Sequence, residues 1–325
     1  MSEPATNDKK PSALAKGIAT MMGKLRADDD MMALLEAFSS LDPNAIEKLT
    51  PTEARRNPTV ADAVEVLLKQ QGRSTAPEQL VPGVSSRDVS IEGAAGSLPA
   101  RLYTPAGTGP FPVIVYFHGG GWVIADKQVY DGGARGLAKQ ANAIVVSVDY
   151  RQAPENKFPA AWDDALAAYR WVAANVANIN GDPARMGIAG ESAGGNLAVA
   201  TAIAVRDAGL PAPRHVLAVY PVAQTSLNTE SELENAVAMP LNRAMVKWFV
   251  THLIRNEDDL KDPRLNLIEA DLKGLPSVTI VSARIDPLRS DSGKLEDALQ
   301  KAGVPVEHRD FEGVTHEFFG CAAVL

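Results

Sequence analysis

The stretch that decides the fold is residues 190–194, with the sequence GESAG. A G-x-S-x-G pentapeptide between a strand and a helix forms a sharp turn that lifts the serine hydroxyl to where a ligand can reach it. The pentapeptide alone is a weak signal, so the prediction depends on what surrounds it. The glycine-rich stretch HGGGW lies upstream at residues 118–122, and Asp286 and His316 lie downstream. These features in this order are highly specific in combination.

Composition places the chain among ordinary globular proteins. It has 325 residues, of which 46% are hydrophobic and 22% are charged, enough for one large α/β domain with an added subdomain. The net charge of −8, with no offsetting basic stripe, disfavours a nucleic-acid or anionic-membrane partner. The single cysteine, Cys321, excludes internal disulfides and a cysteine-based zinc site, and it fits a reducing compartment.

The N-terminal residues carry no targeting signal. The first ten, MSEPATNDKK, are polar, without an apolar segment or a cleavage pattern, and no run of 18 apolar residues occurs in the chain. We therefore predict a cytoplasmic protein with no membrane partner.

Helical patterns dominate the first part of the chain. Residues 1–12 are predicted to form a disordered tail, and residues 13–72 a helical segment, since apolar positions recur at helical spacing. The sequence TPTE at 50–53 is a capping box with proline at the first helical position. The methionines of this segment are interpreted as core residues, with a roof over an adaptable ligand pocket as the alternative.

Short β-rich runs alternate with helices from residue 73 to 220 and again from 264 to 325. This alternation predicts a mostly parallel sheet covered on both faces, with right-handed crossovers. Residues 221–263 break the rhythm with a helical period and no strand, as expected for an insertion above the carboxyl ends of the strands. The predicted strands are 87–91, 98–103, 113–117, 143–148, 186–189, 216–220, 278–281 and 305–309, and the predicted helices are 134–140, 160–175, 196–208 and 294–302.

Three residues could form a nucleophilic site around the pentapeptide. A serine hydroxyl reacts poorly until an imidazole takes its proton, and a carboxylate must hold that imidazole in one tautomer. Ser192, Asp286 and His316 follow one another in the order Ser, Asp, His, which is the order of the α/β-hydrolase arrangement.

His316 is favoured as the base because it follows a strand and a predicted turn at 312–315. The other histidines are interpreted as structural: His118 would brace the glycine loop, and His215, His252 and His308 lie in a strand, a helix and a strand.

Asp286 is favoured as the acid because it follows the run 278–283, which contains the predicted strand 278–281, and so lies near the carboxyl end of a strand. Its rival, Asp291, is expected in the first turn of the next helix, where it would neutralise the helix dipole.

The glycines at 119–121 suit stabilisation of negative charge. Backbone N–H groups can approach a developing oxyanion only where side chains do not obstruct them, and the N–H of Ala193 at a helix N-terminus adds a further donor. The alternatives are a flexible turn and a phosphate-binding loop, but no G-x-x-x-x-G-K-[ST] motif occurs.

Several further motifs accompany the pentapeptide. They are HGGGW at 118–122, DYRQAPE at 149–155, FPAA at 158–161, GESAGG at 190–195, DPLR at 286–289 and His316, with LTPTEAR at 49–55 near the N-terminus. With these motifs the chain resembles the bacterial hormone-sensitive-lipase family (family IV) of carboxylesterases, over about residues 45–320. The resemblance implies an α/β-hydrolase fold, a mostly parallel central sheet flanked by helices, under a helical cap formed by residues 13–72 and the insertion 221–263.

The resemblance also implies a reaction. Family members hydrolyse short- to medium-chain carboxylic esters through an acyl-enzyme, without a metal or cofactor, and many form homodimers. It implies that Gly120, Gly121 and Ala193 supply the oxyanion donors. Trp122, Tyr150 and Phe319 are candidate pocket walls, each with core packing as an equal alternative.

One feature departs from the family. Members usually continue into a C-terminal helix that packs on the sheet, whereas only residues 317–325 follow His316. We expect this helix to be missing and apolar core surface to be exposed, which would lower solubility.

The same scaffold can carry functions other than ester hydrolysis. Plant gibberellin receptors resemble these esterases but lose the catalytic histidine, which this chain keeps as His316. An amidase or deacetylase would use the same site, since an oxyanion hole does not distinguish an ester from an amide. An interfacial lipase is disfavoured, because no strongly amphipathic lid stands out. The sequence leaves the physiological substrate open.

Overall fold

An eight-stranded sheet runs through residues 26–325, the part of the chain that this computed structural model describes, with strand order β1-β2-β4-β3-β5-β6-β7-β8. The pairs β1–β2 and β2–β4 are antiparallel and the other neighbours are parallel. The predicted α/β-hydrolase fold class is confirmed. The strands are β1 (Val84–Gly93), β2 (Gly96–Pro105), β3 (Phe111–Phe117), β4 (Ile144–Val148), β5 (Gly181–Glu191), β6 (His215–Val219), β7 (Ser277–Ile285) and β8 (Val306–Thr315).

The predicted tail, residues 1–12, and the helical positions as far as residue 25 lie outside the described residues. Between residues 26 and 325, no helix combines the length and apolarity needed to cross a bilayer. The helices are α1 (Asp29–Ser40), α2 (Pro51–Ala54), α3 (Val60–Gln70), α4 (Pro77–Leu80), α5 (Asp131–Gln140), α6 (Ala160–Asn175), α7 (Ala193–Asp207), α8 (Glu230–Glu234), α9 (Arg243–Leu253) and α10 (Arg289–Lys301).

Helices cover both faces of the sheet. Because successive strand residues point to opposite faces, each strand contributes side chains to both layers of the core. On β4, Val146 belongs to the large core cluster that also contains residues of α6, α7 and α10. Its neighbour Val145 faces the other way, into a smaller cluster with Ala134 and Ala138 of α5. The buried strands therefore read as nearly continuous apolar runs.

The N-terminal helices have an apolar cluster of their own. Met31 and Leu34 of α1 pack with Ala63 and Leu67 of α3, and all four side chains are buried. Met31 is thus a core residue, as the favoured interpretation of the methionines predicted. The capping box at Thr50 is also present and begins α2.

The end of the chain, from β8 onward, differs from the prediction in the length of β8. Residues 312–315, predicted as a turn, continue β8 to Thr315, because Gly313 at φ +70° lets the strand bend without breaking. Beyond His316 the described residues form a short 3-10 helix, Phe318–Cys321, and Leu325 packs against the α1–α3 cluster. On this side of the sheet Phe311 of β8 is exposed, at 43% of its surface.

Candidate active site

Ser192 is the single residue between the end of β5 and the start of α7, and its backbone has φ 57° and ψ −118°. This conformation is strained for a residue with a side chain. The flanking glycines explain how the turn is made: a Cβ on Gly190 would collide with the Gly194 carbonyl, and a Cβ on Gly194 with the Phe117 carbonyl. The pentapeptide therefore forms the predicted sharp turn.

Strand register brings the distant parts of the site together. Phe117 pairs with Gly190, so the glycine loop after β3 begins beside the turn that carries Ser192. Ile285 pairs with Thr315, so the residues that follow them, Asp286 and His316, leave neighbouring strands side by side.

The three candidate residues form one hydrogen-bonded chain. The Nε2 of His316 lies 3.0 Å from the Ser192 hydroxyl, and its Nδ1 lies 2.6 Å from Oδ2 of Asp286. Since the carboxylate accepts the proton on Nδ1, Nε2 is left to accept from the hydroxyl. The other oxygen of Asp286 accepts the Leu288 N–H at 2.8 Å. All three side chains are buried.

The surroundings of His316 shift its pKa upward. Burial disfavours the charged imidazolium, but the charge of Asp286 and the hydrogen bond to it outweigh that effect and raise the pKa of His316 above 6.5. The ring of Tyr220 packs on the imidazole, with centroids 4.4 Å apart. The imidazole is therefore a stronger base than a free histidine, and it is fixed in orientation.

The loop before Ser192 requires glycine at two positions. Gly120 and Gly121 have φ of +93° and +59°. A Cβ on Gly120 would collide with the Ile124 carbonyl, and one on Gly121 with the ring of Phe249. Both glycines line a pocket with Ser192. Ala193 is the first residue of α7, so its N–H is among those that a helix leaves unpaired.

His118 and Tyr150 hold this loop in place. Nδ1 of His118 lies 2.7 Å from the Gly119 carbonyl, so the loop is braced by His118 as predicted. The ring of Tyr150 stacks on His118 with centroids 4.4 Å apart, and its hydroxyl donates to the His118 carbonyl at 2.9 Å. Tyr150 is therefore part of the support of the loop.

Two of the three candidate pocket walls are placed elsewhere by the structure. Trp122 lines the pocket beside Ser192. Tyr150 is held under the glycine loop, and Phe319 packs against the apolar cluster of Val219, Tyr220 and Val281. Neither residue lines the two pockets at Ser192. The sequence could not show this, because the residues they pack against lie on other elements of the fold.

Asp291 lies in the first turn of α10, as predicted, and its carboxyl also makes hydrogen bonds that the sequence did not predict. Its carboxyl is buried and accepts the N–H groups of Ala223 and Gln224, at 2.9 and 3.3 Å, and the Gln224 side-chain amide at 2.9 Å. Burial raises its pKa to about 7, against the effect of these hydrogen bonds. Asp291 therefore also anchors the chain after β6.

The histidines interpreted as structural are held away from Ser192. His215 bonds to Ser277 and Thr279, and His308 to Ser282 and Glu296. His252 packs against the ring of Trp248.

Glu191, the residue directly before Ser192, belongs to the site although its sequence context did not predict this. Its carboxyl is buried and accepts hydrogen bonds from the hydroxyls of Tyr116 and Tyr220. Burial raises its pKa to about 7, although the two tyrosine hydrogen bonds oppose the rise. Its position at the end of a buried strand was the only available signal. Glu191 fixes Tyr220, and Tyr220 in turn packs on His316.

Two pockets meet at Ser192. One, here called the α9 pocket, is lined by Trp122, Leu241, Val246, Phe249, Leu253 and Leu288. The other, here called the N-terminal pocket, is lined by residues between 38 and 60 together with Met245, His316 and Glu317. Both predicted parts of the cap, 13–72 and 221–263, thus contribute walls next to the serine.

Comparison with known proteins agrees with this geometry. Residues 114–320 match the family model described as alpha/beta hydrolase fold. Carboxylesterase NlhH of Mycobacterium tuberculosis is 39% identical over 274 residues, which cover 82% of this chain and 86% of that protein. The structure of the Pyrobaculum calidifontis esterase superposes with a TM-score of 0.78 at 32% identity, covering 88% of this chain and 91% of that one. The thermostable esterase of Pseudomonas putida ECU1011 superposes with a TM-score of 0.82 at 29% identity, covering 92% and 91%.

The fold and the site define a hydrolase with a serine at the strand–helix turn. The chain belongs to the α/β-hydrolase family, and within it to the hormone-sensitive-lipase type of carboxylesterase (family IV).

Proposed function

We propose that this protein is a serine carboxylesterase in which Ser192 is the nucleophile, His316 the general base and Asp286 the residue that orients His316. The observation that carries the proposal is the continuous hydrogen-bonded chain of these three side chains where two pockets meet. Because His316 lies within hydrogen-bond distance of Ser192, the geometry favours a catalyst over a non-catalytic receptor.

The first half of the reaction forms an acyl-enzyme. The Ser192 oxygen attacks the ester carbonyl while Nε2 of His316 takes the hydroxyl proton. The N–H groups of Gly120, Gly121 and Ala193 stabilise the oxyanion of the tetrahedral intermediate. When the intermediate collapses, the bond to the alcohol oxygen breaks, and His316 returns its proton to that oxygen.

The second half repeats these steps with water. His316 takes a proton from a water molecule as its oxygen attacks the acyl carbonyl, and then protonates Ser192 as the carboxylic acid leaves. No step requires a metal or a cofactor.

The position of His316 indicates which pocket would hold the alcohol part of the ester and which the acyl chain. Because His316 must protonate the departing alcohol, the alcohol part of the ester belongs in the N-terminal pocket, which His316 lines. The acyl chain then occupies the α9 pocket, where His316 is not among the lining residues.

Short- to medium-chain acyl groups suit the α9 pocket, because its lining is mostly apolar and includes side chains of α9. A relative that is 30% identical over 302 residues is named ethyl acetate hydrolase, from Pseudomonas putida. The cytoplasmic location and a homodimer stay predictions.

Hydrolysis of p-nitrophenyl butyrate, compared with the p-nitroanilide of butyric acid, tests the reaction class. We expect turnover of the ester and much slower turnover of the anilide, because an amide is a weaker electrophile with a poorer leaving group. Equal rates would reassign the protein as an amidase. No turnover of either substrate by folded protein would favour the receptor.

The pH dependence of kcat/KM is expected to report on His316. The protonated imidazole cannot accept the Ser192 proton, so activity should be lost as the pH falls through its pKa, with a midpoint above 6.5. The acidic groups around the imidazole are Asp286, Glu317 and Glu191. Since the pKa of Glu191 is also raised, to about 7, the Glu191→Gln variant is the control: it should keep an acid limb, moved somewhat to lower pH because one charge that raises the pKa of His316 is lost. A rate that is constant from pH 8 to pH 5 would contradict the mechanism.

A further inference from the structure

The α9 pocket is not apolar throughout, since Glu232 is among its lining residues. Glu232 belongs to α8, in the insertion 221–263, and only 1% of its surface is exposed. Within residues 26–325, its Oε2 has no hydrogen-bond partner. A buried carboxyl oxygen in this state is unusual, because leaving such a group unpaired costs free energy.

The nearest cation does not complete the carboxyl. The Nε of Arg243 lies 3.6 Å from Oε2, beyond hydrogen-bond distance. The guanidinium donates instead to the Leu227 carbonyl at 2.9 Å and to the Asn228 side chain at 2.6 Å. Arg243 is thus committed to the loop before α8, and Glu232 keeps hydrogen-bonding capacity.

Asp291, the other carboxyl in the lining, has no such capacity to spare. It accepts three hydrogen bonds from Ala223 and Gln224, and Lys294 in turn donates to the side-chain amide oxygen of Gln224 at 2.8 Å. The unused hydrogen-bonding capacity of these two carboxyl groups therefore belongs to Glu232.

The protonation state of Glu232 indicates what it can bind. Burial raises the pKa of Glu232 to about 8, and the nearby charges of Asp291 and Asp286 add to the rise against the opposing effect of Arg243. At neutral pH the carboxyl is mostly protonated, so it can donate through O–H and accept through its carbonyl oxygen. A hydroxyl group has the same dual capacity.

A second polar atom of the same lining is unpaired. The indole N–H of Trp122 has no acceptor among the described residues, although only 2% of the surface of Trp122 is exposed. The lining thus combines an unpaired donor with an unpaired carboxyl oxygen.

We propose that Glu232 is a specificity-determining residue, and that the α9 pocket selects esters whose acyl chain carries a hydroxyl group at its far end. The proposal rests on the proposed function, because it assigns the acyl chain to this pocket. A hydroxyl-terminated chain satisfies the carboxyl, whereas a methyl-terminated chain of the same length leaves it unpaired.

The test compares p-nitrophenyl 6-hydroxyhexanoate with p-nitrophenyl heptanoate, in which a methyl group replaces the hydroxyl, and repeats the comparison with shorter and longer pairs. At the chain length that reaches Glu232, the native protein should favour the hydroxyl ester, and Glu232→Leu should lower the ratio of the two kcat/KM values about tenfold. Glu232→Gln should keep most of the preference, because an amide also donates and accepts.

A preference for the methyl-terminated ester at every length in the native protein would overturn the proposal without any variant. The same ratio in the native protein and in Glu232→Leu would also overturn it. Hydrolysis of p-nitrophenyl acetate, whose acyl group is too short to reach Glu232, is the control. If the native protein does not hydrolyse acetate, the proposed function fails; if acetate turnover is normal but the ratio does not change, only the role of Glu232 fails.

Discussion

Ser192→Ala is expected to lower kcat for p-nitrophenyl butyrate by about 10⁴- to 10⁶-fold, the range found when a catalytic triad loses its nucleophile. Alanine removes the only atom that bonds covalently to the acyl group and leaves His316 without its hydrogen-bond partner. The measurement is the initial rate of p-nitrophenolate release. A double variant that also carries His316→Ala should be little worse, because the two residues act as one unit.

Ser147→Ala is the matched control. Ser147 lies on β4 and is fully buried, and its hydroxyl has no partner within residues 26–325. The same loss of a buried hydroxyl should leave kcat nearly unchanged. If Ser192→Ala kept as much activity as Ser147→Ala, another group would have to be the nucleophile.

Asp286→Asn is expected to lower kcat by about 10⁴-fold with little change in fold. Oδ2 of Asp286 accepts the Nδ1 proton of His316 at 2.6 Å. An asparagine amide can turn its NH₂ toward Nδ1, which moves the imidazole proton to Nε2, where it blocks transfer from Ser192. The acid limb of the pH profile should move to lower pH at the same time, because the neighbouring charge that raises the pKa of His316 is lost.

Asp291→Asn makes the same chemical change five residues along the chain and separates the two acids. Asp291 is equally buried, but its hydrogen-bond partners are Ala223 and Gln224, not His316. We expect a far smaller loss of kcat, together with some loss of thermal stability, because the anchored loop after β6 is weakened. A larger loss from Asp291→Asn than from Asp286→Asn would reverse the assignment.

The sequence predicted those parts of the molecule that depend on local pattern. The strands and helices of the core follow from apolar runs and their spacing, and the order of Ser192, Asp286 and His316 follows from motifs. Strand register could not be predicted, yet it is the pairing of Ile285 with Thr315 that makes Asp286 and His316 neighbours. The extension of β8 through 312–315 was missed because a glycine-containing run reads as a turn.

The supporting residues of the site were beyond sequence reasoning for a different reason. Glu191 and Glu232 look like ordinary acidic residues, since nothing local shows that an acid will be buried. Their environments come from distant elements: Tyr116 of β3 and Tyr220 after β6 for Glu191, and Arg243 of α9 for Glu232. For Tyr150 and Phe319 the sequence left pocket wall and core packing as equal alternatives, because an aromatic residue near a motif can pack into either, and the structure shows core packing.

The most direct test of the central claim is to label the nucleophile with diethyl p-nitrophenyl phosphate. The Ser192 oxygen should displace p-nitrophenolate and form a stable diethylphosphoryl ester. Intact-mass measurement should then show one diethylphosphoryl group per chain, located by peptide mapping on Ser192, with esterase activity lost in proportion to labelling. Ser192→Ala should take up no label. Stoichiometric labelling of another residue, or full activity in a chain labelled at Ser192, would contradict the mechanism.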